Sequence, residues 1–528
     1  MLTMNNANVR SLVVAVLVLL TAGTLAASAE QPTPTPYRVI FNCDGHSVYT
    51  NAKGSVDAWI KNLFDPLEGS HVDALFWCDG AGGNTAKYDS EVLELSGERI
   101  GQVDPDLRRW IEGGNDPPAV VVREAKLRGL DVFYSFRVND IHDGHLPSEF
   151  PTFKEQHPDW MLGDEFEEFT TALNFALPDV RQLKLRTIEE IFDKYDFDGI
   201  ELDFMRFPRF FPSFLEYRNA FILTDFLHTV RQRLAEKARQ RGRPIRVAIR
   251  VDENLTACRL NGFDIATWIN EGLLDLLIIG DYAFPSSQDV QAFKALAQGK
   301  PVQVYVCVAN PHTVIGGISY RQGDASAVLR GLAANYWRAG ADGMYTFNWF
   351  PGGHDGDDPD VLSYQIPLLR EIGDPRQLVS KDKMFPADAS EFGPGKQRQH
   401  PSRPRFHNWM FTSLPVALFP TWNANSLTVI PVDVADDLSG ASARKVRALE
   451  LWAQLKNLVA GDVIDFQVNG QPLDAMPEPE ADGVVKFRLQ LDQLKTGSNE
   501  VGLRLNQRGA NAADDIIVAA LEIHVDYE

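Results

Sequence analysis

Up to about residue 350 the chain repeats one pattern. A short apolar run ends in a polar residue or glycine, and a longer amphipathic stretch follows. The runs are RVIFNCDG (38–45), VDALFWCDG (72–80), LDVFYSFRVND (130–140), DGIELDFMRF (198–207), IRVAIRVDEN (245–254), LDLLIIGDYAF (274–284), PVQVYVCVAN (301–310) and ADGMYTFNWF (341–350). Helix-like segments such as VRQLKLRTIEEIFDKY and FLHTVRQRLAEKARQRG lie between them. Strand alternating with helix predicts a parallel sheet. Eight such units predict a closed (β/α)8 TIM barrel over residues 37–375. An open doubly wound sheet is the alternative, but no GxGxxG spacing follows the first run.

Residues 376–410 are rich in Pro, Gly and charge and read as a linker. Beyond them the period falls to two, in SLTVIPVDV, VRALELWAQL, DVIDFQVNG, VVKFRLQL, NEVGLRLN and DIIVAALEIHV. Turn residues between these runs predict an all-β sandwich over 411–528. Asn469-Gly470 marks a hairpin turn. The sandwich strands show no row of exposed aromatics, so packing against the barrel is the role expected of that domain.

Alternation assigns faces within the barrel. In the fourth run Ile200, Leu202 and Phe204 share the helix-facing parity, so Glu201 and Asp203 turn toward the axis near the carboxyl end, where barrel enzymes build their sites. The same rule turns Arg137 and Asn139 inward from the third run, Arg250 and Asp252 from the fifth, and Asn42 and Asp44 from the first. It adds Trp77 and Asp79 from the second, Gln303 and Tyr305 from the seventh, and Asn348 from the eighth. Asp281 ends the sixth run, where Gly280 leaves its parity open. Hydrophobic burial does not account for a ring of carboxylates, arginines, amides and aromatics at one mouth. A salt-bridge layer inside the barrel is the alternative, with each Arg forking onto an acid.

Such a mouth suits a sugar ring. Aromatic faces stack on C–H faces, amides and carboxylates take hydroxyls, and two acids cut the glycosidic bond. Asp203 is the first candidate for a catalytic carboxylate. Glu201, one layer deeper, is expected to pair with Arg137 or Arg250. The second acid is expected from Asp281, then Asp252 or Glu253. His142, Arg206 and Trp349 complete the candidate substrate-binding set. HxH is missing after the first strand, where FNCDGH stands, so no metal site is expected and no cofactor is implied.

The ends and the charge bound the setting. Arg10, an apolar run of roughly sixteen residues and Ala27-Ser28-Ala29 read as a signal peptide over 1–29. QPTPTP then reads as a Pro-rich tether over 30–36. Export to the periplasm or exterior is the expectation, with no membrane span later in the chain. The net charge is −21, or −22 once the leader, with Arg10 and no acid, is removed. That argues against nucleic acid as a partner. No obligate protein partner is inferred, and a poly- or oligosaccharide is the expected substrate. Four Cys in so long a chain are not a disulfide framework. Cys43 and Cys78 stand in matching contexts, NCDG and WCDG. Buried thiols are expected there ahead of a bridge.

The motifs RVND (137–140), HPDWMLG (157–163), LNFALPDVR (173–181) and YDFDGIELDFMRFP (195–208) together resemble the glycosyl-hydrolase-like family ten, a group of bacterial glycosidase-like proteins. The resemblance spans about residues 37–375. It implies a (β/α)8 barrel and an exported enzyme acting on a polysaccharide or on peptidoglycan glycan, with Asp203 and Glu201 as the residues that carry over. LDFMR is also similar to the fourth-strand end of galactosidase-type retaining enzymes, which implies Asp281 as the matching acid/base. Chitinase-like barrels place an acid where Met205 stands, so their mechanism is not implied. A barrel that binds glycans without cutting them, and a metal-dependent deacetylase, are the competing readings.

Overall fold

In a computed structural model, the described residues are 35–43, 54–163, 170–280, 285–309, 325–349, 365–388, 413–419, 427–439 and 444–528. The leader, Asp44 and Asp281 lie outside them. The chain divides into Met1–Pro36 and Tyr37–Glu528. The second unit holds everything that follows.

Eight parallel strands close into a barrel in chain order: β1 (Val39–Cys43), β2 (Val72–Trp77), β3 (Asp131–Arg137), β4 (Gly199–Asp203), β5 (Arg246–Val251), β6 (Leu276–Ile279), β7 (Gln303–Ala309) and β8 (Gly343–Phe347). Each is almost wholly buried, because helices cover the outside and side chains fill the axis. The described helices are α1 (Val56–Phe64), α2 (Pro105–Glu112), α3 (Pro117–Leu127), α4 (Thr152–Gln156), α5 (Pro178–Lys194), α6 (Ala220–Arg241), α7 (Leu255–Leu260), α8 (Ile265–Asn270), α9 (Ser287–Ala297) and α10 (Ala325–Ala339). Local chemistry sets their starts. Pro stands in the first turn of α2, α3 and α5, where a missing N–H is harmless. Ser286 and Asp289 form a capping box on α9. Among the described residues no helix is long and apolar enough to cross a membrane.

Register places the polar residues at defined levels. Arg137 aligns with Asp203, and Asp203 with Arg250. One layer down, Ser135 aligns with Glu201, and Glu201 with Ala248. Gly199, the first residue of β4, has no room for a Cβ, which would stand 2.3 Å from the Phe133 ring. That close approach lets Phe133 fill the axis beneath Glu201.

The C-terminal region is a sandwich of two antiparallel sheets. One holds β10 (Val416–Leu418), β17 (Ile516–Tyr527), β12 (Val446–Lys456) and β15 (Val484–Arg488) in that order, with β9 (Lys383–Pro386) also on β17. The other runs β11 (Thr428–Val434), β16 (Gly497–Gln507), β13 (Val463–Val468) and β14 (Gln471–Pro472). Ile430, Leu451, Phe466, Val501 and Ile523 meet between them. Asn469 and Gly470 both have positive φ, 51° and 79°, as the two-residue hairpin joining β13 to β14 requires. Cys43, Cys78, Cys258 and Cys307 are buried free thiols.

The stretch read as a linker holds β9, which pairs with Glu522–Val525 of β17. A four-residue edge strand inside a Pro- and Gly-rich region leaves little trace in a hydrophobicity pattern. β9 also lies against α10: a Cβ on Gly331 would stand 2.1 Å from the Met384 carbonyl oxygen. Asn335 Nδ2 donates to the Asp433 carbonyl at 2.9 Å, and the buried Lys383 pairs with Asp436 at 3.1 Å. The sandwich is therefore seated on the barrel through α10. Gly331→Ala is expected to destabilise the protein by about 1–3 kcal/mol through overpacking of this seam. A lowered urea midpoint checks it, and an unchanged midpoint would show that β9 does not press on α10.

Candidate functional site

β4 carries Ile200 and Leu202 on its outer parity and Glu201 and Asp203 on the inner one, all buried. Asp203, the last strand residue, is held at four points. Its Oδ1 accepts from the main-chain N–H of Met205 (2.9 Å) and Arg206 (3.0 Å) and from Arg250 Nε (3.0 Å). Its Oδ2 accepts from Arg250 Nη2 at 2.8 Å. The guanidinium therefore forks onto the carboxylate and fixes its position. Arg250 is itself buried, and its guanidinium lies 4.0 Å from the Phe347 ring centroid.

Glu201 does not pair with Arg137 or Arg250. Its register neighbours are Ser135 and Ala248, and both of its oxygens are buried without a hydrogen bond. Arg250 reaches past it to Asp203, and Arg137 turns to Asp140 at 3.0 Å. Burial first, and the Asp203 charge second, raise the Glu201 pKa to about 7. The Arg250 charge and the nearby hydroxyls of Ser135 and Tyr345 oppose that rise, although neither hydroxyl attains hydrogen-bond geometry to it. A carboxyl with its pKa raised to about 7 thus sits one layer below the carboxylate that Arg250 holds.

A second relay borders the mouth in the segment after β3. Asp140 accepts from Arg137 and sits 2.8 and 2.9 Å from His142 Nδ1. Burial alone would raise the Asp140 pKa, but the His142 and Arg137 charges and their hydrogen bonds hold it well below the ordinary carboxylate range. Arg206 Nη2 lies 3.2 Å from His142 Nε2. When the imidazole is neutral and donates Nδ1–H to Asp140, Nε2 accepts from Arg206. Since the Arg206 amide donates to Asp203, this relay and the Arg250 fork meet at one residue.

Other predicted residues have different surroundings. Trp77 packs on Trp59 of α1 and on Tyr134, with ring centroids 6.5 and 6.2 Å away, so it faces the helices. Phe76 takes the axis instead, stacked on Phe133 at 4.3 Å. ALFW is apolar on both faces, so polarity alone does not choose between them. Tyr305 joins the floor of the barrel, its hydroxyl accepting from the Tyr37 amide at 2.9 Å and donating to Gln303 at 3.0 Å. Asn139 lies two residues past the end of β3, where alternation has stopped. It pins two segments together, accepting from the Leu173 amide and donating to the carbonyls of Leu173 and Arg209. Asp79 shapes its own loop by accepting from the Ala81 and Lys87 amides, and burial raises its pKa. Asp252 accepts from Asn261 Nδ2 at 3.0 Å, and Glu253 is buried beside it. Asn348 breaks the β8 alternation with φ of 55°. Trp349 is fully buried in the barrel core.

Tyr345 and Phe347, on the inward parity of β8, flank Glu201 and Arg250 and were not among the predicted residues. GMYTF has no alternation of polar and apolar residues that marks a face, so only the register shows that these two rings look inward. Asp140 was likewise unassigned, although RVND places it three residues beyond Arg137, close enough to pair.

No protein-family model matches the chain, and no curated protein matches it. Solved structures give low-similarity superpositions. Alpha-L-fucosidase isoenzyme 2 from Paenibacillus thiaminolyticus is 15% identical, with 64% of this chain and 49% of that one covered and a TM-score of 0.41. The PgaB (BpsB) glycoside hydrolase domain from Bordetella bronchiseptica is 12% identical, with 64% and 99% covered and a TM-score of 0.41. The GH36 alpha-galactosidase AgaA from Geobacillus stearothermophilus is 11% identical, with 93% and 55% covered and a TM-score of 0.38. The chain spans about half the length of the fucosidase and of the galactosidase. At these scores none of the three carries an argument about activity or substrate.

Proposed function

We propose that the protein is an exported glycoside hydrolase that cleaves O-glycosidic bonds of a poly- or oligosaccharide at the carboxyl-terminal mouth of its barrel. The observation that carries this reading is Asp203, a carboxylate fixed by the Arg250 fork and two main-chain amides at the end of β4. Among the described residues its Oδ2 takes a single hydrogen bond, so this oxygen is the one with capacity to face an anomeric carbon. Asp203 then serves as nucleophile or as stabiliser of an oxocarbenium-like transition state. Asp281 is proposed as the acid/base partner, with Asp252 and Glu253 next in order. Arg206 and His142, joined by one hydrogen bond, are proposed to take sugar hydroxyls. Glu201, with its pKa raised to about 7, keeps its proton in mildly acidic solution and adds little negative charge beneath Asp203 there.

Asp203→Asn keeps the shape and removes the charge. Turnover is expected to fall on the order of a thousandfold. Reducing-end release from a panel of polysaccharides and peptidoglycan measures this, with circular dichroism confirming a folded variant. Wild-type protein that releases no product from any member of the panel would refute the reading.

Glu201 makes stability depend on pH in a defined direction. The folded state keeps this proton up to about pH 7, whereas the unfolded side chain releases it near 4.5. The protonated carboxyl therefore favours folding fully below 4.5, and that contribution is lost as pH rises to 7. Glu201→Gln cannot ionise. Its stability relative to wild type is expected to increase between pH 4.5 and 7, by on the order of 3 kcal/mol, and to level off above. Paired thermal melts across that range check it, and a pH-independent difference would show that Glu201 titrates normally.

A further inference from the structure

Four exposed aromatic side chains stand out among the described residues: Phe214, Tyr217, Phe221 and Phe419. Three of them fall between residues 214 and 221, in the segment that follows β4, and they are 79%, 61% and 62% exposed. Their carrier is well anchored. Arg209 pairs with Glu216 in a buried ion pair, and Phe210 packs on Phe175, Phe204 and Phe263. Tyr217 opens a single helical turn, Tyr217–Asn219, that runs directly into α6 at Ala220. Tyr217 and Phe221 therefore stand within one turn of each other at the start of α6. Arg259 donates to the Tyr217 hydroxyl at 3.0 Å and lies 4.8 Å from its ring centroid, which fixes the plane of the ring. A cavity of about 350 Å³ lies alongside, lined by Tyr217, Leu255, Arg259, Phe263 and Asp264. Elsewhere this segment buries its rings, as Phe210 and Phe211 do. Three rings kept in water on a rigid support point to a ligand.

We infer that this ledge binds a stretch of neutral glycan chain beyond the bond being cut, so that the substrate is a polymer. The inference rests on the glycosidase reading. Flat aromatic faces match the C–H faces of pyranose rings. Arg259 and Asp264 supply a donor and an acceptor for hydroxyls. The net charge of −21 disfavours a polyanionic chain. The ledge follows directly from the strand that ends in Asp203, as substrate-contacting segments of barrels do.

The test uses full-length Asp203→Asn, which holds polymer without consuming it. Electrophoresis through native gels containing hydroxyethyl cellulose, galactomannan or glycol chitin reads affinity. Adding Phe214→Ala, Tyr217→Ala and Phe221→Ala is expected to weaken retardation at least about tenfold, and Tyr217→Trp alone to preserve it. With Asp203 intact, the triple variant is expected to lose kcat/KM on polymer but to keep it on a short oligosaccharide of the same glycan. Equal retardation with and without the rings, or no retardation of either protein, would overturn the ledge. So would a dimer seen by sedimentation that the triple variant abolishes, since the rings would then bury against a second copy. Ring-dependent retardation without hydrolysis by wild type would uphold the ledge and remove the glycosidase reading.

Discussion

The site depends on one buried ion pair, the Arg250 fork on Asp203. Two charges taken out of water are tolerated only when geometry and further hydrogen bonds compensate. Here the compensation is built into strand register. The parallel pairing of β3, β4 and β5 sets Arg137, Asp203 and Arg250 at one level. Two main-chain amides just past the strand end then satisfy Asp203 further. A slip of one residue in β4 would turn both of its acids toward the helices and leave Arg250 buried without its partner. The barrel and the ion pair therefore specify each other.

The same register explains why two carboxyls two residues apart differ. Arg250 lies at the level of Asp203 and forks onto it, and small residues, Ser135 and Ala248, flank Glu201. Burial without a hydrogen bond raises the Glu201 pKa, and the neighbouring Asp203 charge raises it further. One strand thus presents a carboxylate held by a guanidinium and a carboxyl whose pKa burial raises, separated by environment rather than by residue type.

The eight barrel strands were legible because a parallel sheet covered on both sides needs near-continuous apolar runs, and these differ sharply from the amphipathic helices between them. Face assignment was legible only where polar and apolar residues alternate. IELD and AIR declare their faces. ALFW and GMYTF do not, so Trp77 was placed inside and Tyr345 was missed. The rule also ends with the ladder. Asn139, Asp79 and Asn348 stand beyond the last paired residues of their strands, where turn geometry sets side-chain direction. β9 was hidden for a related reason. Its four residues are a strand because β17 offers an edge and α10 a floor, and neither is local in sequence.

The segment after β4 joins these levels. Residues 207–219 begin where Asp203 fixes the Arg206 amide and end where the helical turn enters α6. Within that span Phe210 and Phe211 are buried, Arg209 and Glu216 neutralise each other out of solvent, and Phe214 and Tyr217 remain in water. The buried members also tie the segment to the neighbouring loop, since the Arg209 carbonyl is one of the three groups pinned by Asn139. Asn139 in turn adjoins Asp140, the anchor of His142 and Arg137. Side chains that touch no substrate in the proposed chemistry therefore couple the position of the exposed rings to that of the mouth. The proposed catalytic carboxylate and the proposed binding ledge are carried on one continuous, internally satisfied segment, which would keep the fixed spacing that a polymer with a regular repeat demands.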